Sequence, residues 1–394
     1  MTDFQKTLME CLESRQSFER MVVLNDEKTG LEASVVIHDT TLGPALGGTR
    51  WRPFATRAEA LVDNQRLAEG MTYKLALAVG EDTELARAGI SFGGGKAVIR
   101  GEPTQDKDRR KEQLRAYAAL VNSLGGRFVT AVDVGTSVED MITVKEVTKW
   151  VAGLPREMGG SGDASPWTAS GVVWGLKACL EAVFGSDSLR GKTVAIQGIA
   201  GKVGRNLARQ LADEGAVLVA SDVNQAGAQE VSRKVGARLV PPDEIFEQKC
   251  DVFSPNALGG TLNDDTIPRL RCRITCGAAN NQLWEPMRHA AMLHDKGILH
   301  APEFWINGGG VINVAHEFHP GGYSDERAAA DVKRIYARGR TMMEISQKEN
   351  VPPYAVAFRL AEDRIRRARG IALQQHVDDT GHKPSAVRTR RSTT

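Results

Sequence analysis

Short runs of apolar residues alternate with longer amphipathic segments along the chain. In the first 150 residues, the runs MVVLND, ASVVIHDT, KAVIRG and FVTAVDVG predict strands. Between them, apolar residues recur at positions i, i+3 and i+4 over 58–69 and 106–123. This spacing is typical of helices that bury one face, so we predict two amphipathic helices here.

From residue 168 onwards the alternation becomes more regular. A helix is predicted over 168–184, and from Lys192 a strand, a glycine-containing turn, a helix and a second strand follow as KTVAIQG, VGRNLARQLADEG and AVLVASD. Shorter β-rich pieces, CDVFSPN and RITCGAAN, continue the series. Strands and helices that alternate in this way are typical of a doubly wound parallel sheet, so the predicted fold class is α/β.

A segment rich in glycine and small polar residues, GGSGDASP at 159–166, predicts a domain boundary. We therefore predict a first α/β domain over 1–158, with helices at about 340–376 joining it, and a dinucleotide-binding Rossmann domain over 159–339. The region 324–374 is helical and charged, with a break at Pro352-Pro353. Residues 377–394 have little apolar content and predict a disordered tail.

Composition and charge narrow the classes of partner. The net charge is only +2, so we expect neither nucleic acid nor a membrane surface as a partner. No apolar run is long enough to span a bilayer, and the first 20 residues lack the apolar core of a secretory signal, so we expect a cytoplasmic protein. The cysteines are five, scattered and without a zinc spacing, which predicts reduced thiols and no metal site: Cys11, Cys179, Cys250, Cys272 and Cys276.

Three glycines lie between a predicted strand and a predicted helix: Gly198, Gly201 and Gly204. Glycines in this position let a pyrophosphate approach the backbone and the helix N-terminus. Asp222 closes the next strand, where a carboxylate can bind a ribose diol and would repel a 2′-phosphate, so we predict NAD rather than NADP. The loop reads GxxGxxG, one residue longer than GxGxxG, and the alternative is a glycine-rich turn that binds nothing.

Four segments carry charged residues or glycine clusters at predicted strand ends or turns: LGPALGGTRW (42–51), GMTYK (70–74), SFGGGKAVI (91–99) and TAVDVGT (130–136). Lys74 and Lys96 are each surrounded by apolar residues or glycines rather than by a charged surface run. Taken alone, either lysine could pack its stem on the surface, and Asp133 could cap the turn before Gly135. Their occurrence together favours a reactive site.

In combination, seven motifs resemble those of the leucine/phenylalanine/valine dehydrogenase branch of the amino-acid dehydrogenases, which is related to glutamate dehydrogenase: GPALGGTR, GMTYK, GGGK, DVGT, SPWTASGV, GAANNQL and NGGGVINVA. The resemblance covers about residues 42–364. It implies NAD-dependent oxidative deamination of an L-amino acid to its 2-oxo acid and ammonia, and the reverse. It also implies an active site in the cleft between two domains and a homo-oligomer assembled through the N-terminal domain.

The resemblance implies roles for matching residues. Lys74 would hold the substrate carboxylate, Lys96 would be the general base or activate water, and Asp133 would exchange protons with the substrate nitrogen. Lys96 then needs a pKa near neutrality, which burial and the second cation, Lys74, could provide. Thr168 would face the nicotinamide, and Asn280 would contact both cofactor and substrate. The residues implied to shape the substrate pocket are Leu46, Gly47, Gly48, Met71, Val311 and Val314.

One segment departs from the family pattern. GEDTELARAG (80–89) is inserted between the two lysine motifs. Because it is polar, we expect an excursion over the surface that returns before Ser91; if it displaced the strand carrying Lys96, the two lysines would not converge. Two further motifs are deceptive: GISFG is followed by a strand instead of the helix of a nucleophile elbow, and GGGKA lacks the spacing of a phosphate loop.

The predicted pocket residues are apolar, which favours leucine, valine or isoleucine as substrate and gives no cation for a second carboxylate. Two alternatives stay open. Trp51 and Trp305 could reshape the site for an aromatic amino acid, although both could equally be packing residues. A chain in which the insertion had separated the two lysines could instead be a non-catalytic regulator that binds a dinucleotide.

Overall fold

The computed structural model describes the backbone of residues 18–380 and the side chains of residues 18–370. Cys11 and the part of the predicted tail from 381 lie outside the described residues. The last helix runs to Thr380, so its final residues overlap the start of the predicted tail. The sequence QQHVDDT lacks apolar residues apart from one valine, but it contains no glycine or proline to end a helix.

Five strands form the first sheet: β1 (Arg20–Asp26), β2 (Leu31–Asp39), β3 (Ala45–Arg52), β4 (Gly93–Arg100) and β5 (Phe128–Val132). Their order is β1-β2-β4-β3-β5. Strand β3 is parallel to β4 and β5, whereas β2 is antiparallel to β1 and β4. The helices of this part are α1 (Arg57–Ala78), α2 (Glu84–Arg87), α3 (Lys107–Ser123) and α4 (Val138–Lys145).

Six parallel strands form the second sheet: β6 (Thr193–Gln197), β7 (Val217–Ser221), β8 (Arg238–Leu239), β9 (Val252–Pro255), β10 (Ile274–Thr275) and β11 (Leu299–His300). Their order is β11-β10-β9-β6-β7-β8. Successive strands are added on one side of β6 up to β8 and on its other side from β9 onwards, so the order of connection reverses between β6 and β9. In open parallel sheets, ligands bind at the carboxyl ends of strands at such a reversal. The predicted α/β class with a Rossmann sheet is confirmed.

Eight helices accompany the second sheet or follow it: α5 (Ser165–Phe184), α6 (Lys202–Asp213), α7 (Gln225–Val235), α8 (Pro286–Asp295), α9 (Glu303–Ile306), α10 (Gly309–Ala315), α11 (Asp325–Glu349) and α12 (Pro353–Thr380). Short 3-10 turns lie at Arg156–Met158, Pro242–Glu247, Ile267–Arg269 and His316–Phe318. Helix α11 packs on α5, and α12 packs on α1. The break predicted at Pro352-Pro353 separates α11 from α12.

Separate apolar clusters lie against the two sheets, and a third cluster joins them. The third cluster combines Leu46 of β3 with Leu75 of α1, Leu85 of α2 and Val314 of α10. All four side chains are buried. The wall between the two halves of the molecule is therefore apolar and continuous beneath the predicted substrate pocket. No helix within residues 18–380 has the length and apolar character that crossing a bilayer requires.

Two of the four segments predicted to be strand ends or turns have a different structure. LGPALGGTRW contains strand β3, and GMTYK lies inside α1, which continues to Ala78 instead of ending near residue 69. A glycine inside a helix costs only about 1 kcal/mol, and the buried Leu67, Leu75 and Ala78 continue one face of α1 past Gly70. Lys74 is thus carried by a rigid helix.

Candidate active site

One large cavity, of about 900 Å³, lies between the two sheets. Strands β3 and β4, helix α1 and the end of β5 line one side, and helices α5, α9 and α10 with the loop after β10 line the other. The predicted residues found in its walls are Lys74, Lys96, Asp133, Leu46, Gly47, Gly48, Met71, Thr168, Asn280, Val311 and Val314. Every residue predicted to contact the substrate therefore lines the same cavity.

The two lysines meet because α1 packs very closely on β4. A Cβ atom on Gly94 would lie 2.0 Å from Thr72 Oγ1, so a residue with a side chain would push the helix away. Lys96 lies two residues beyond Gly94 on β4, and Lys74 lies two residues beyond Thr72 on α1. The GGGK motif thus sets the distance between helix and strand that brings both ammonium groups to one cavity.

A buried ion pair joins Lys96 to Asp133. Lys96 Nζ lies 3.0 Å from Asp133 Oδ2, and the two side chains are only 5% and 18% exposed. Arg50 Nε lies 3.2 Å from the same carboxylate oxygen, and its Nη1 lies 3.0 Å from Asp63 Oδ2. Arg50 was not among the predicted site residues, although an arginine within the glycine-rich run GGTRW could have drawn attention to it.

The environment moves the pKa of each of these groups. Burial, with Lys96 as the second cause, lowers the pKa of Lys74 to about 8. Burial also lowers the pKa of Lys96, against the opposing attraction of Asp133. Burial alone would raise the pKa of Asp133, but Lys96 and Arg50 together hold it below its ordinary value. Two lysines with lowered pKa and one ionised carboxylate therefore face the cavity, as general acid–base chemistry requires.

Two asparagines connect Lys74 to the second sheet. Lys74 Nζ donates to Asn280 Oδ1 over 2.9 Å, and Asn307 Nδ2 donates to the same oxygen over 3.0 Å. Asn307 also donates to the carbonyl of Ala278. Asn281, the next residue, has a positive φ of 50°, a turn conformation that asparagine tolerates. Asn307 lines the cavity but was not predicted, since only Val311 and Val314 were taken from the motif NGGGVINVA.

The glycine loop between β6 and α6 has the shape that a pyrophosphate needs. Gly198 has a φ of +84°, and a Cβ on Gly204 would lie 2.0 Å from the Gly198 carbonyl oxygen. Helix α6 is capped by Gly201 without a side-chain hydrogen bond, so its first N–H groups are left for a ligand. Asp222 Oδ2 accepts from the Ala200 N–H over 2.8 Å, beside the loop. These residues fit a dinucleotide.

The predicted cofactor residues divide into two groups. Thr168 and Asn280 line the cavity, whereas Gly198, Gly201, Gly204 and Asp222 do not. Val203, in the first turn of α6, does line it, so the cavity reaches the N-terminal end of that helix, next to the glycine loop. A dinucleotide that bound both groups would extend from the cavity to the end of β7.

The inserted segment 80–89 does not separate the lysines. It forms α2, whose Leu85 is fully buried, so it is more than an excursion over the surface. The backbone N–H of Glu84 donates to Asp331 Oδ1 over 2.9 Å, and Asp331 Oδ2 lies 3.0 Å from Nε2 of His316. The segment is therefore held against α11 and the turn that follows α10, and β4 keeps its place.

The two tryptophans considered as possible pocket residues, Trp51 and Trp305, are packing residues. Trp51 packs in the core of the first sheet with Arg110 over its ring, and Trp305 donates its indole N–H to the carbonyl of Ile335. Neither tryptophan lines the cavity. Ser91 donates to the carbonyl of Leu42 and precedes a strand, so the GISFG segment has no nucleophile elbow. The four cysteines within the described residues are free thiols.

Comparison with known families identifies the class of protein that this fold and cavity define. Residues 16–150 match the family model "Glu/Leu/Phe/Val dehydrogenase, dimerisation domain", and residues 159–227 and 221–370 match "Glutamate/Leucine/Phenylalanine/Valine dehydrogenase". The chain belongs to this family. It is therefore an amino-acid dehydrogenase, an oxidoreductase of a class that depends on a nicotinamide dinucleotide.

Individual relatives are similar over nearly their whole length. The chain is 48% identical to leucine dehydrogenase of Bacillus subtilis (strain 168) over 90% of this chain and 93% of the relative. It is 45% identical to phenylalanine dehydrogenase of Lysinibacillus sphaericus over 83% and 82% of the two chains. The crystal structure of L-tryptophan dehydrogenase from Nostoc punctiforme is 40% identical, with a TM-score of 0.71, over 93% of this chain and 99% of that chain.

Proposed function

We propose that this chain catalyses the reversible, NAD-dependent oxidative deamination of a branched-chain aliphatic L-amino acid to its 2-oxo acid and ammonia. The observation that carries the proposal is the meeting of Lys74, Lys96 and Asp133 in one cavity between two sheets. The similarity to dehydrogenases of leucine and phenylalanine supports an apolar amino acid as the substrate.

The residues of the cavity have separate tasks in this proposal. Lys74, as a cation, binds the substrate carboxylate, and Asn280 and Asn307 orient it. Lys96, buried and with a lowered pKa, takes a proton from the water that attacks the imino carbon. Asp133 exchanges protons with the substrate nitrogen. A bound nicotinamide would supply the hydride acceptor for the α-carbon, and Thr168 lies on the wall that it would face.

Arg50 acts through Asp133 and is a positioning residue. It does not line the cavity, but it binds the Asp133 carboxylate and Asp63 at once. This double pairing fixes the direction in which Asp133 points. It also supplies a second cation that keeps Asp133 ionised while Lys96 gains and loses its proton.

The walls of the side-chain pocket favour an aliphatic substrate. Leu46, Met71, Val311 and Val314 line it, and Leu46 and Val314 are 1% and 6% exposed. An apolar pocket of this kind discriminates by only about 10- to 200-fold between side chains that differ by one methylene. We therefore assign the substrate class, leucine, valine or isoleucine, rather than a single amino acid.

An aromatic amino acid is the second candidate. The similarity to an L-tryptophan dehydrogenase and to a phenylalanine dehydrogenase favours it. The two tryptophans that could have shaped an aromatic pocket do not favour it, because Trp51 and Trp305 lie in the cores and not at the cavity. The non-catalytic regulator depended on an insertion that separated the lysines, and the packing of residues 80–89 removes that reason.

NAD is the proposed dinucleotide because of Asp222. Its carboxylate lies at the end of β7, beside the glycine loop, where the negative charge would repel a 2′-phosphate. We also retain the predicted domains, 1–158 with about 340–376 and 159–339, and the homo-oligomer. The match to a dimerisation domain over residues 16–150 supports assembly through the first domain.

The test is NADH formation by the purified chain with leucine, valine, isoleucine, phenylalanine, tryptophan and glutamate, each with NAD and with NADP. We expect the highest kcat/KM for a branched-chain substrate with NAD and no turnover of glutamate. A preference for phenylalanine or tryptophan would favour the aromatic alternative. Binding of NAD without turnover of any amino acid would contradict the enzyme proposal.

A further inference from the structure

The cysteines within the described residues form two pairs, and the proposed reaction uses neither of them. Cys250 and Cys272 precede strands β9 and β10, whereas Cys179 of α5 is a neighbour of Cys276, which follows β10. All four thiols are free, and all four belong to one apolar cluster or pack against it. The two pairs differ in their exposure to solvent, and therefore in the chemistry open to them.

Cys250 and Cys272 are partners across two parallel strands. A bridge between Lys249 and Arg271 precedes them, and the ladder of β9 and β10 resumes in the same register two residues later. The backbone N–H of Cys250 donates to the carbonyl of Arg271 over 3.3 Å. Neighbouring strands lie about 4.8 Å apart, and register partners direct their side chains to the same face. A disulfide joins Cα atoms that are roughly 4.4–6.8 Å apart, so the register suits a bond between these two thiols.

The surroundings make Cys272 the thiol that ionises first. The neighbouring Cys250 thiol is the largest cause that lowers the pKa of Cys272, and the Lys296 ammonium acts in the same direction, against burial. The same interaction with Cys272, together with burial, raises the pKa of Cys250. Because the thiolate is the form that reacts with oxidants, Cys272 is the nucleophile of the pair, and Cys250 is placed to react with its oxidation product.

Exposure separates this pair from the other one. Cys250 is partly exposed and Cys272 is 8% exposed, whereas Cys179 and Cys276 are both fully buried. Burial also raises the pKa of Cys276 well above its ordinary value, so that thiol stays protonated. A small oxidant in water therefore has access to the first pair and not to the second.

We propose that Cys250 and Cys272 are a reversible modification site, which forms a disulfide when the protein meets a hydroperoxide. The Cys272 thiolate attacks one oxygen of hydrogen peroxide, which gives a sulfenic acid and releases hydroxide. The Cys250 sulfur then attacks the sulfenic sulfur, loses its proton and displaces the hydroxyl group as water. In total the two thiols lose two electrons and two protons, and the peroxide becomes two molecules of water. A thiol reductant returns the electrons by exchange.

The bond should stabilise the second sheet and leave the reaction unchanged. Both cysteines lie at the amino ends of β9 and β10, whereas Ala278 and Asn280, beyond the carboxyl end of β10, line the cavity. A link that closes a loop of about 20 residues restricts the unfolded chain and so favours the folded one. The inference does not depend on the proposed function, because the thiols lie outside the cavity.

The test treats the purified chain with hydrogen peroxide and maps its thiols by mass spectrometry without reduction. We expect a cross-linked pair of peptides that contains Cys250 and Cys272, lighter by two hydrogen atoms than the separate peptides, which dithiothreitol separates again. The melting temperature of the oxidised chain should lie about 5–10 °C above that of the reduced chain. Neither measurement needs turnover, so a failure of the proposed function would leave both of them valid.

Cys250→Ser leaves Cys272 without its partner. The variant should show no cross-link and no rise in melting temperature with peroxide, and its Cys272 should be oxidised further, to the sulfinic acid. Cys179→Ala, which removes one cysteine of the buried pair, is the matched control. Peroxide should give it the same cross-link as wild type and the same rise above its own reduced form.

Three results would overturn the assignment. Sulfinic acid at Cys272 of wild type, without a cross-link, would mean that the two thiols do not meet. A cross-link between Cys179 and Cys276 in place of the expected one would mean that exposure does not select the pair. A cross-link without a higher melting temperature would refute the stabilisation. If Cys250→Ser does not fold, Cys272→Ala replaces it, and a rise in its melting temperature with peroxide would equally contradict the proposal.

Discussion

Replacing Lys74 with methionine should stabilise the fold while it abolishes turnover. The folded chain holds the pKa of Lys74 at about 8, against an ordinary value of 10.5, chiefly because of burial. That difference corresponds to roughly 3–4 kcal/mol, the cost of keeping the ammonium group charged in the cavity at neutral pH. Methionine loses the hydrogen bond to Asn280, worth about 1.5 kcal/mol, so the expected net gain is about 2 kcal/mol.

The gain should depend on pH in a defined direction. Because the pKa of Lys74 is lower in the folded chain than in the unfolded one, folding releases a proton between pH 8 and 10.5. Below pH 8, Lys74 therefore lowers the free energy of unfolding by its full amount, and above pH 10.5 it no longer lowers it. The gain in stability from Lys74→Met should be large at pH 7 and absent at about pH 10.5. It reflects the usual conflict between stability and a functional site.

Thermal unfolding of wild type and Lys74→Met, at pH 7 and at about pH 10.5, measures this gain in stability. About 2 kcal/mol corresponds to a rise of about 4–8 °C in melting temperature at pH 7 for domains of this size. Lys111→Met, which changes an exposed lysine of α3, is the matched control and should leave the melting temperature unchanged. A lower melting temperature for Lys74→Met at pH 7, or the same rise at both pH values, would refute the reasoning.

Three further substitutions test other parts of the account. Asp222→Ala should weaken NAD binding about tenfold and NADP binding much less, since only NAD offers the ribose diol; equal losses in equilibrium titrations would contradict the ribose role. Asp331→Asn, which weakens a fully buried network with His316, should lower stability by about 3 kcal/mol in denaturant unfolding, and an unchanged midpoint would mean that the inserted segment is not held there. Arg50→Met should lower kcat more than it raises KM and shift the acidic limb of the pH profile upwards, because Asp133 loses a neighbouring cation; an unshifted limb would argue against a positioning role.

The sequence predicted those parts of the fold whose signal is local. The strand and glycine turn before α6 appear where the alternation places them, because a buried parallel strand is a continuous apolar run. Strand β3 and the continuation of α1 past Gly70 were missed, because their glycines weaken the local signal. The glycines of β3 are explained only by a neighbouring strand, since a Cβ on Gly47 would lie 1.9 Å from the Gly95 carbonyl oxygen of β4.

The site was predictable in part for the same reason. Lys74, Lys96 and Asp133 stood out as charges in apolar or glycine-rich surroundings. Arg50 and Asn307 did not, because their importance comes from partners that are distant along the chain, Asp63 with Asp133 and Asn280 respectively. The placement of residues 80–89 depends on contacts with residues that are distant along the chain, such as the bond from the Glu84 N–H to Asp331, and no local pattern contains them.

The most direct test of the central claim is turnover and NAD binding in Lys96→Ala. If Lys96 is the general base beside Asp133, its loss should lower kcat by about 10²–10⁴-fold, the usual contribution of a positioned base. The affinity for NAD, measured by equilibrium titration, should change less than twofold, since Lys96 lies on the other sheet from the glycine loop. Wild-type turnover in Lys96→Ala would contradict the account.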